Sequence, residues 1–264
     1  MNAYMNLTTV NESVDKSMEK LSSGLRINRA GDDAAGLAIS EKMRGQVKGL
    51  TMATKNSQDG ISMIQTAEGA LNETHSIVQR MRELAVQSSN DTNTQEDREK
   101  LQLEVNQLVE EINRIGNTTE FNTRVLMDGT YDAGGVLFHI GANKDQNVNL
   151  KFNDMRSGAL NLQGISIISQ DDANNAIETI NTSLENVSTE RAKFGAMQNR
   201  LEHTINNLRV SGENLQAAES RIRDTDMASE MVKLNKDKII SQSGTAMLAQ
   251  ANAKPQSVLQ LLQN

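Results

Sequence analysis

Histidines are the residues of this chain best suited to bind a metal or transfer a proton. The three histidines, His75, His139 and His203, lie far apart, and none belongs to an HExxH motif or an i, i+4 pair that could bind zinc. His75 falls on a helical apolar stripe between Leu71 and Val78, so a place in a helix seam or on a helix surface accounts for it. The chain has no cysteine. We therefore predict no metal site and no cofactor.

Adjacent acidic residues are the other candidates for catalysis. The chain has three such pairs: Asp32-Asp33, Glu110-Glu111 and Asp171-Asp172. Acid–base catalysis needs carboxylates that face each other across a cleft. These pairs stand at predicted helix starts or on a helix flank, where capping or a solvated face explains them better. Glycines around the first pair lack the Lys and Ser/Thr of a phosphate loop. We predict no catalytic residues, and hence no enzyme.

The elements that position these residues are helices with long apolar stripes. From Met43 to Val78, and again from Ala173 to Leu208, apolar residues recur mostly at steps of three and four. A shorter stripe begins at Leu101. Such spacing is typical of helices that bury one side against other helices. Because the two long stripes lie towards opposite ends of the sequence, the simplest fold brings both ends together.

Capping and breaking residues predict where the helices begin and end. The first helix, over residues 1–20, should end at Ser22-Ser23-Gly24, because glycine tolerates the left-handed conformation that closes helices. Asp32 or Asp33 should cap the second helix, and Thr94 with Asp97 resembles a capping box for the third. The fourth helix should run from Ser169–Asp172 to about residue 223, and the last one over about 226–263.

The stretch from about 120 to 168 differs from both ends. It contains Gly-rich turns and two short alternating runs, Val136–Ile140 and Val148–Phe152, which predict the strands of a hairpin or small sheet. The predicted fold is therefore mainly α: an elongated antiparallel helical bundle or coiled coil of the N- and C-terminal helices, with a small β-hairpin region in the middle.

Composition narrows the class of protein. Of 264 residues only 2% are aromatic and one is proline, which suits helix seams better than the core of a globular enzyme. The formal net charge of −7 argues against nucleic-acid and anionic-membrane partners, which require a basic face. No apolar run reaches membrane-spanning length, and residues 1–20 contain no apolar core of a signal peptide. Export would therefore need a route without a cleaved signal.

Several long strings of residues resemble one family, the bacterial flagellins, and the likeness is greatest to those of Bacillus-type bacteria. At the N-terminal side these strings include the stretch from Leu21 to Leu37, Asn56–Ile61 with Gln65–Leu71, and Thr119–Asn122. At the C-terminal side they are Ala217–Asp224 and Met247–Asn252. They occur in the right order over nearly the whole chain.

The resemblance implies a structural subunit that polymerises into the extracellular flagellar filament for motility. In flagellins the terminal helices form an inner coiled-coil tube and the long helices form the next shell. Here residues 1–31 with 225–264 would be the inner domain, and 32–224 the rod-like domain with the β region at about 120–168. The middle is too short for inserted outer domains, so we expect a short form.

The family also implies partners. Flagellins are exported by the flagellar type III apparatus, a chaperone binds their C-terminal helix, and filament cap and hook-junction proteins contact them. Residues of the terminal helices that we expect to serve assembly are Leu7, Val10, Val14, Val258, Leu259, Leu261 and Leu262.

Many flagellins are also recognised by Toll-like receptor 5. The receptor motif of the family is similar to Gln79–Gln87, in which Arg80 and Leu84 match key positions, and Glu104 on the next helix matches a third. From local sequence alone, the same arginines indicate an exposed salt-bridged face.

Two further expectations follow from the ends of the chain. Flagellins usually begin before the stretch that matches Asn2-Ala3-Tyr4, and a shorter first helix would weaken the inner tube. An alternative to the filament subunit is a hook–filament junction protein, whose ends are similar. The strings around Asp224 and Met247 favour flagellin itself.

Overall fold

The computed structural model describes the backbone of residues 2–262 and the side chains of residues 4–253. In chain order the elements are α1 (Asn2–Ser23), α2 (Ala34–Ser88), α3 (Gln95–Thr118), β1 (Glu120–Phe121), β2 (Arg124–Val125), β3 (Val136–His139), β4 (Asn147–Leu150), α4 (Gln170–Arg223) and α5 (Met227–Leu262). The strands form two separate antiparallel pairs, β1 with β2 and β3 with β4. The predicted fold class, mainly α with a small β region between N- and C-terminal helices, is confirmed.

Two compact units make up the chain. One contains residues 1–47 and 213–264, and the other contains residues 48–212. This division by packing differs from the predicted boundaries at 31/32 and 224/225, which remain predictions. Within the described residues, no helix combines the length and the apolar character that crossing a bilayer requires.

The helix ends follow from local hydrogen bonds. Gly24 adopts φ 71° and its N–H donates to the Lys20 carbonyl at 2.8 Å, which closes α1. Asp33 caps α2, since its Oδ1 accepts from Gly36 N at 2.8 Å. Asp32 instead accepts from the N–H groups of Asn28 and Arg29, both at 3.0 Å, and so holds the preceding loop. These two bonds keep the pKa of the Asp32 carboxyl below its usual value.

The third and fourth helices start as their sequences predict. Thr94 and Asp97 form a reciprocal capping box at the start of α3. The Ser169 hydroxyl accepts from Asp172 N at 3.1 Å at the start of α4. Capping groups satisfy N–H donors that have no partner inside the helix, so each one fixes where its helix begins.

The unit of residues 1–47 and 213–264 contains a joint at which two backbone segments pair. Leu25 and Asp224 form an antiparallel bridge. Arg26 N donates to Arg223 O at 2.6 Å, and Thr225 N donates to Gly24 O at 3.0 Å. The Asp226 carboxylate then accepts from the first N–H groups of α5. The chain therefore leaves α1 and enters α5 through one short paired segment.

The unit of residues 48–212 has its core along the predicted stripes. Buried residues of α2, α3 and α4 include Ile64, Leu71, Val78, Val105, Ile112, Ala173, Ile180, Val187, Phe194 and Leu201. Phe194 meets Phe152 with ring centroids 5.3 Å apart, a tilted arrangement that aromatic pairs favour. Burial of these stripes removes apolar area from water and is the main stabilising term of this unit.

The β region is followed by an irregular segment that polar side chains hold on the helices. β3 pairs with β4 in the register Val136 to Leu150, close to the predicted strands. The irregular segment that follows is fastened by three hydrogen-bonded groups. Ser183 Oγ donates to Leu160 O at 2.6 Å, Gln102 Nε2 donates to Ile165 O at 2.9 Å, and Ser88 Oγ donates to Ile167 O at 2.5 Å. These bonds satisfy carbonyls of buried and half-buried residues that belong to no regular element.

Candidate assembly and recognition surfaces

Two of the three histidines have separate hydrogen-bond partners, on different elements of the fold. His75 Nε2 lies 3.0 Å from Gln79 Nε2, one helical turn along α2. His139 Nδ1 lies 2.7 Å from Asn147 Oδ1, across the β3–β4 pair. Among the residues that the structure describes, no three His, Cys, Asp or Glu side chains come close enough to hold a metal ion. The histidines therefore offer no metal site within this range.

The acidic pairs serve helix ends and ion pairs. Asp33 caps α2, and the Asp172 N–H is itself capped by Ser169. Glu111 accepts from Arg114 Nε at 2.8 Å, and this hydrogen bond lowers the pKa of the Glu111 carboxyl. Asp33 therefore acts as a helix cap and Glu111 as the partner of Arg114.

The first surface is built on an antiparallel pair of helices, α1 and α5. Ser17 Oγ donates to Glu230 Oε1 at 2.6 Å, and Ser241 Oγ donates to Asn11 Oδ1 at 2.8 Å. Further along, Gly244 allows close approach, since a Cβ there would lie 3.3 Å from Leu7 Cδ1. As the residue number falls along α1 it rises along α5, so the helices run in opposite directions.

The seam of this pair is only partly sealed. Leu234 is buried, whereas the predicted assembly residues Leu7, Val10 and Val14 are half-buried. A small cavity of about 200 Å³ opens beside the seam. Its lining consists of Asn6, Leu7, Val10, Ile240, Gly244 and Met247.

Apolar side chains stand exposed along the same two helices. We call them the terminal apolar set: Tyr4, Met5, Met18, Met227, Met231, Val232, Ile239, Ile240 and Met247. Single exposed apolar residues are ordinary, whereas nine on one helix pair are an unusual concentration. Other residues line the seam between the two helices: the half-buried Leu7, Val10 and Val14 and the buried Leu234.

The second surface lies on α2 and α3 around Arg80. Arg80 Nε donates to Glu104 Oε1 at 2.9 Å, and Arg80 Nη1 donates to Glu83 Oε2 at 2.9 Å. Hydrogen bonds to Glu83 and then Glu104 raise the pKa of the guanidinium above its usual value. All three side chains are exposed, so solvent screens the network and its main effect is to orient Arg80.

The other arginine of the motif points elsewhere. Arg82 Nε donates to Asn181 Oδ1 on α4 at 2.8 Å. Leu84, one turn after Arg80, has 0% of its surface exposed and belongs to the core of residues 48–212. The structure therefore brings Arg80 and Glu104 together on the surface and places Leu84 beneath it.

Comparison with known proteins fits this architecture. Residues 1–132 match the family profile described as the bacterial flagellin N-terminal helical region, and residues 177–262 match the bacterial flagellin C-terminal helical region. A flagellin of Halalkalibacterium halodurans is 57% identical, over 99% of this chain and 96% of its own length.

The chain belongs to the flagellin family.

Other flagellins support the same assignment. The flagellin of Bacillus subtilis is 52% identical over 99% of this chain and 97% of its own length. The crystal structure of Bacillus cereus flagellin is similar with a TM-score of 0.51 and 30% identity, over 58% of this chain and 88% of that chain. The resemblance to flagellins of Bacillus-type bacteria is thus confirmed.

Family membership gives the general function. Flagellins are structural subunits of the flagellar filament, so the predictions of a filament subunit and of a protein that is not an enzyme are confirmed. Which residues carry assembly and recognition is a separate matter, and those assignments remain predictions.

The predicted assembly residues fall into two groups. Leu7, Val10 and Val14 lie half-buried on α1, and the first two line the cavity beside α5. Val258, Leu259, Leu261 and Leu262 lie outside the side chains that the structure describes. Sequence reasoning did not single out the terminal apolar set, although its methionines and isoleucines on predicted helices were a usable signal.

Proposed function

We propose that this flagellin polymerises by burying the terminal apolar set between subunits. The observation that carries the proposal is the exposure of nine apolar side chains on α1 and α5, while other residues line the seam between these helices. Each fully buried aliphatic side chain contributes about 1.5–3 kcal/mol, so a shared interface along two helices gains considerable free energy. Leu7, Val10 and Val14 then hold α1 on α5, and the exposed set meets the neighbours.

A charge placed on this surface tests the proposal. Val232 is 69% exposed on α5, and the matched control Val210 is 53% exposed on α4. We expect Val232→Glu to abolish seeded growth of filaments, because an unpaired carboxylate in an apolar interface is costly. Val210→Glu should grow normally. Electron microscopy and sedimentation report both, and normal growth of Val232→Glu would refute the proposal.

The residues expected to act at the end of α5 have a test of their own. We propose that Val258, Leu259, Leu261 and Leu262 belong to the same assembly surface. Deletion of residues 258–264 should block filament growth while circular dichroism still reports folded helices in residues 48–212. Normal filaments from the deletion would exclude these residues from assembly.

We further propose that the Arg80 surface binds Toll-like receptor 5. Support comes from the likeness of Gln79–Gln87 to the receptor motif of flagellins and from the pairing of Arg80 with Glu104, the third matched position. Arg80 and Glu104 would contact the receptor directly. Because Leu84 is buried, its part would be to hold this surface in shape from below.

Two adjacent arginines allow a matched test of receptor binding. Arg80→Glu should abolish receptor signalling by the soluble subunit, since the substitution places three carboxylates together. Arg82→Glu changes the charge equally but on the side of Asn181, and it should retain most of the signal. Equal losses in a cell-based reporter assay would show that net charge, and not the Arg80–Glu104 pair, governs the response.

Membership of the flagellin family suggests how the chain is exported and which flagellar proteins bind it. We infer that the flagellar type III apparatus exports the chain to the cell exterior, that a chaperone binds α5 beforehand, and that filament cap and hook-junction proteins contact the assembled subunit. Exposed apolar residues of α5 supply a reason for a chaperone. Val232→Glu should weaken chaperone binding in calorimetry. An unchanged affinity would show that the chaperone does not bind the surface around Val232.

The alternative, a hook–filament junction protein, makes a different prediction. Junction proteins do not form long filaments by themselves, whereas the chain proposed here does so from purified subunits. The proposed domain division, 1–31 with 225–264 inside and 32–224 outside, can be checked in the same filaments by image reconstruction.

A further inference from the structure

Methionine is over-represented in the terminal apolar set. Of the twelve methionines whose side chains the structure describes, six are exposed, and five of these six belong to the terminal apolar set on α1 and α5. They are Met5, Met18, Met227, Met231 and Met247. Their exposed fractions run from 46% to 68%, so the sulfur chemistry of this surface is open to solvent in the free subunit.

Methionine differs from the other apolar residues in being oxidisable. A peroxide transfers one oxygen atom to the thioether: the O–O bond breaks, an S–O bond forms, the sulfur loses two electrons and water leaves. The sulfoxide is polar and chiral where the thioether was apolar and flexible. Exposure governs which methionines react, so the five named here should react well before the buried ones.

From these observations we infer that the free subunit carries an oxidant-sensitive modification site, whose substrate class is peroxides and whose effect is to block polymerisation. A sulfoxide oxygen buried between subunits requires a hydrogen-bond donor, and leaving it without one is costly. The inference rests on the proposed role of the terminal apolar set in assembly.

The core supplies an internal reference for the reaction. Met63, Met81, Met127 and Met155 are buried in the unit of residues 48–212, and at most 5% of their surface is exposed. Met52 is exposed on α2, outside the terminal apolar set. Oxidation limited to the surface therefore leaves the core thioethers intact, and Met52 reports oxidation that has no bearing on the proposed interface.

The test is partial oxidation of wild-type subunits with hydrogen peroxide, followed by seeded polymerisation. Polymer and supernatant are separated by sedimentation, and peptide mass spectrometry gives the sulfoxide fraction at each methionine. We expect sulfoxide at Met227 and Met231 to be enriched severalfold in the supernatant, while Met52 is oxidised equally in both fractions. An equal distribution at all positions would overturn the inference.

Enzymatic repair and a control variant separate this inference from the proposed function. Methionine sulfoxide reductase should restore growth of the oxidised wild type. Met52→Leu lies outside the terminal apolar set and should stay as sensitive to peroxide as wild type. Loss of peroxide sensitivity in Met52→Leu, or no recovery once mass spectrometry shows the sulfoxides reduced, would overturn the inference while leaving the assembly surface intact. Failure of unoxidised wild type to polymerise would instead overturn the proposed function, and the inference with it.

Discussion

Ser17 and Glu230 are joined by a 2.6 Å hydrogen bond between Ser17 Oγ and Glu230 Oε1, although they lie 213 residues apart in sequence. Ser17 is fully buried, and Glu230 also lies 3.7 Å from Lys233 Nζ. The bond fixes the register in which α1 lies along α5. The bond and the apolar seam therefore both hold α1 against α5.

Removing this bond should loosen α5. Ser17→Ala leaves the Glu230 carboxylate partly buried without its donor, and hydrogen bonds to charged groups contribute about 1.5–3 kcal/mol. We expect amide exchange in the first turns of α5 to accelerate accordingly, roughly 10- to 100-fold at about 1.4 kcal/mol per factor of ten. Thr8→Ala, which loses only a bond to Tyr4 O within α1, should change exchange in α5 little. Equal effects of the two variants would contradict the assigned register.

Gly24 should be difficult to replace for conformational reasons alone. Its φ of 71° lies in the left-handed region, and a Cβ there would meet nothing within 4 Å. Gly24→Ala should therefore cost about 1–2 kcal/mol through backbone strain, without any clash. Gly31, which is equally open but has no positive φ, is the control, and Gly31→Ala should leave the free energy of unfolding in urea within about 1 kcal/mol of wild type. An unchanged free energy of unfolding in Gly24→Ala would show that the backbone at residue 24 can adopt another conformation without strain.

The capping box of α3 should make its stability depend on pH. Hydrogen bonds from the Thr94 hydroxyl and the Thr94 N–H lower the pKa of the Asp97 carboxyl below its ordinary 3.8. Because the carboxyl has a lower pKa in the folded state, it stabilises the fold at a pH above its unfolded-state pKa. This stabilisation is lost as the pH falls through the folded-state pKa. Thr94→Ala should raise the Asp97 pKa towards 3.8 in a carbon-detected NMR titration, whereas Thr92→Ala should not. An unshifted midpoint in Thr94→Ala would mean that the box is not formed.

Leu84 should behave as a core residue. Because it is fully buried, Leu84→Ala should destabilise the unit of residues 48–212 by about 2–5 kcal/mol. Val86, 48% exposed two residues on, is the control, and Val86→Ala should stay within about 0.5 kcal/mol in denaturant unfolding. A loss of receptor signalling in Leu84→Ala that persists at temperatures where the variant is folded would instead assign Leu84 a direct contact.

Patterns with a local cause were predicted well from the sequence. The capping box at Thr94, the end of α4 at Arg223 and the β3–β4 hairpin all depend on neighbouring residues, and each is present. Of the two candidates for the cap of α2, the structure selects Asp33, because Asp32 is already engaged by the loop N–H groups. Propensity alone could not choose between adjacent aspartates.

The β1–β2 hairpin was not predicted, because its strands are only two residues long. Its turn places Asn122 and Thr123 at φ 51° and 65°, and threonine rarely adopts such values. Asparagine at the first position was the one available signal.

Apolar spacing alone could not predict which apolar residues of α1 pack against α5 of the same chain and which remain exposed. Leu7, Val10 and Val14 have helical spacing and are predicted to serve assembly; they are half-buried, whereas Tyr4, Met5 and Met18 stand exposed. Periodicity identifies an apolar side of a helix, but only the position of the partner helix divides it into seam and free surface. That division depends on contacts between α1 and α5, which are far apart in sequence.

The most direct measurement of the assembly surface is the reactivity of single cysteines in free subunits and in filaments. The chain has no cysteine of its own, so a labelled thiol reports one position without background. Val232→Cys and Gln163→Cys, exposed on α5 and in the irregular segment before α4, should both react rapidly with a maleimide in free subunits. In filaments we expect Val232→Cys to be protected and Gln163→Cys to remain reactive. Equal reactivity of Val232→Cys in filaments and in free subunits would contradict burial of this surface on assembly.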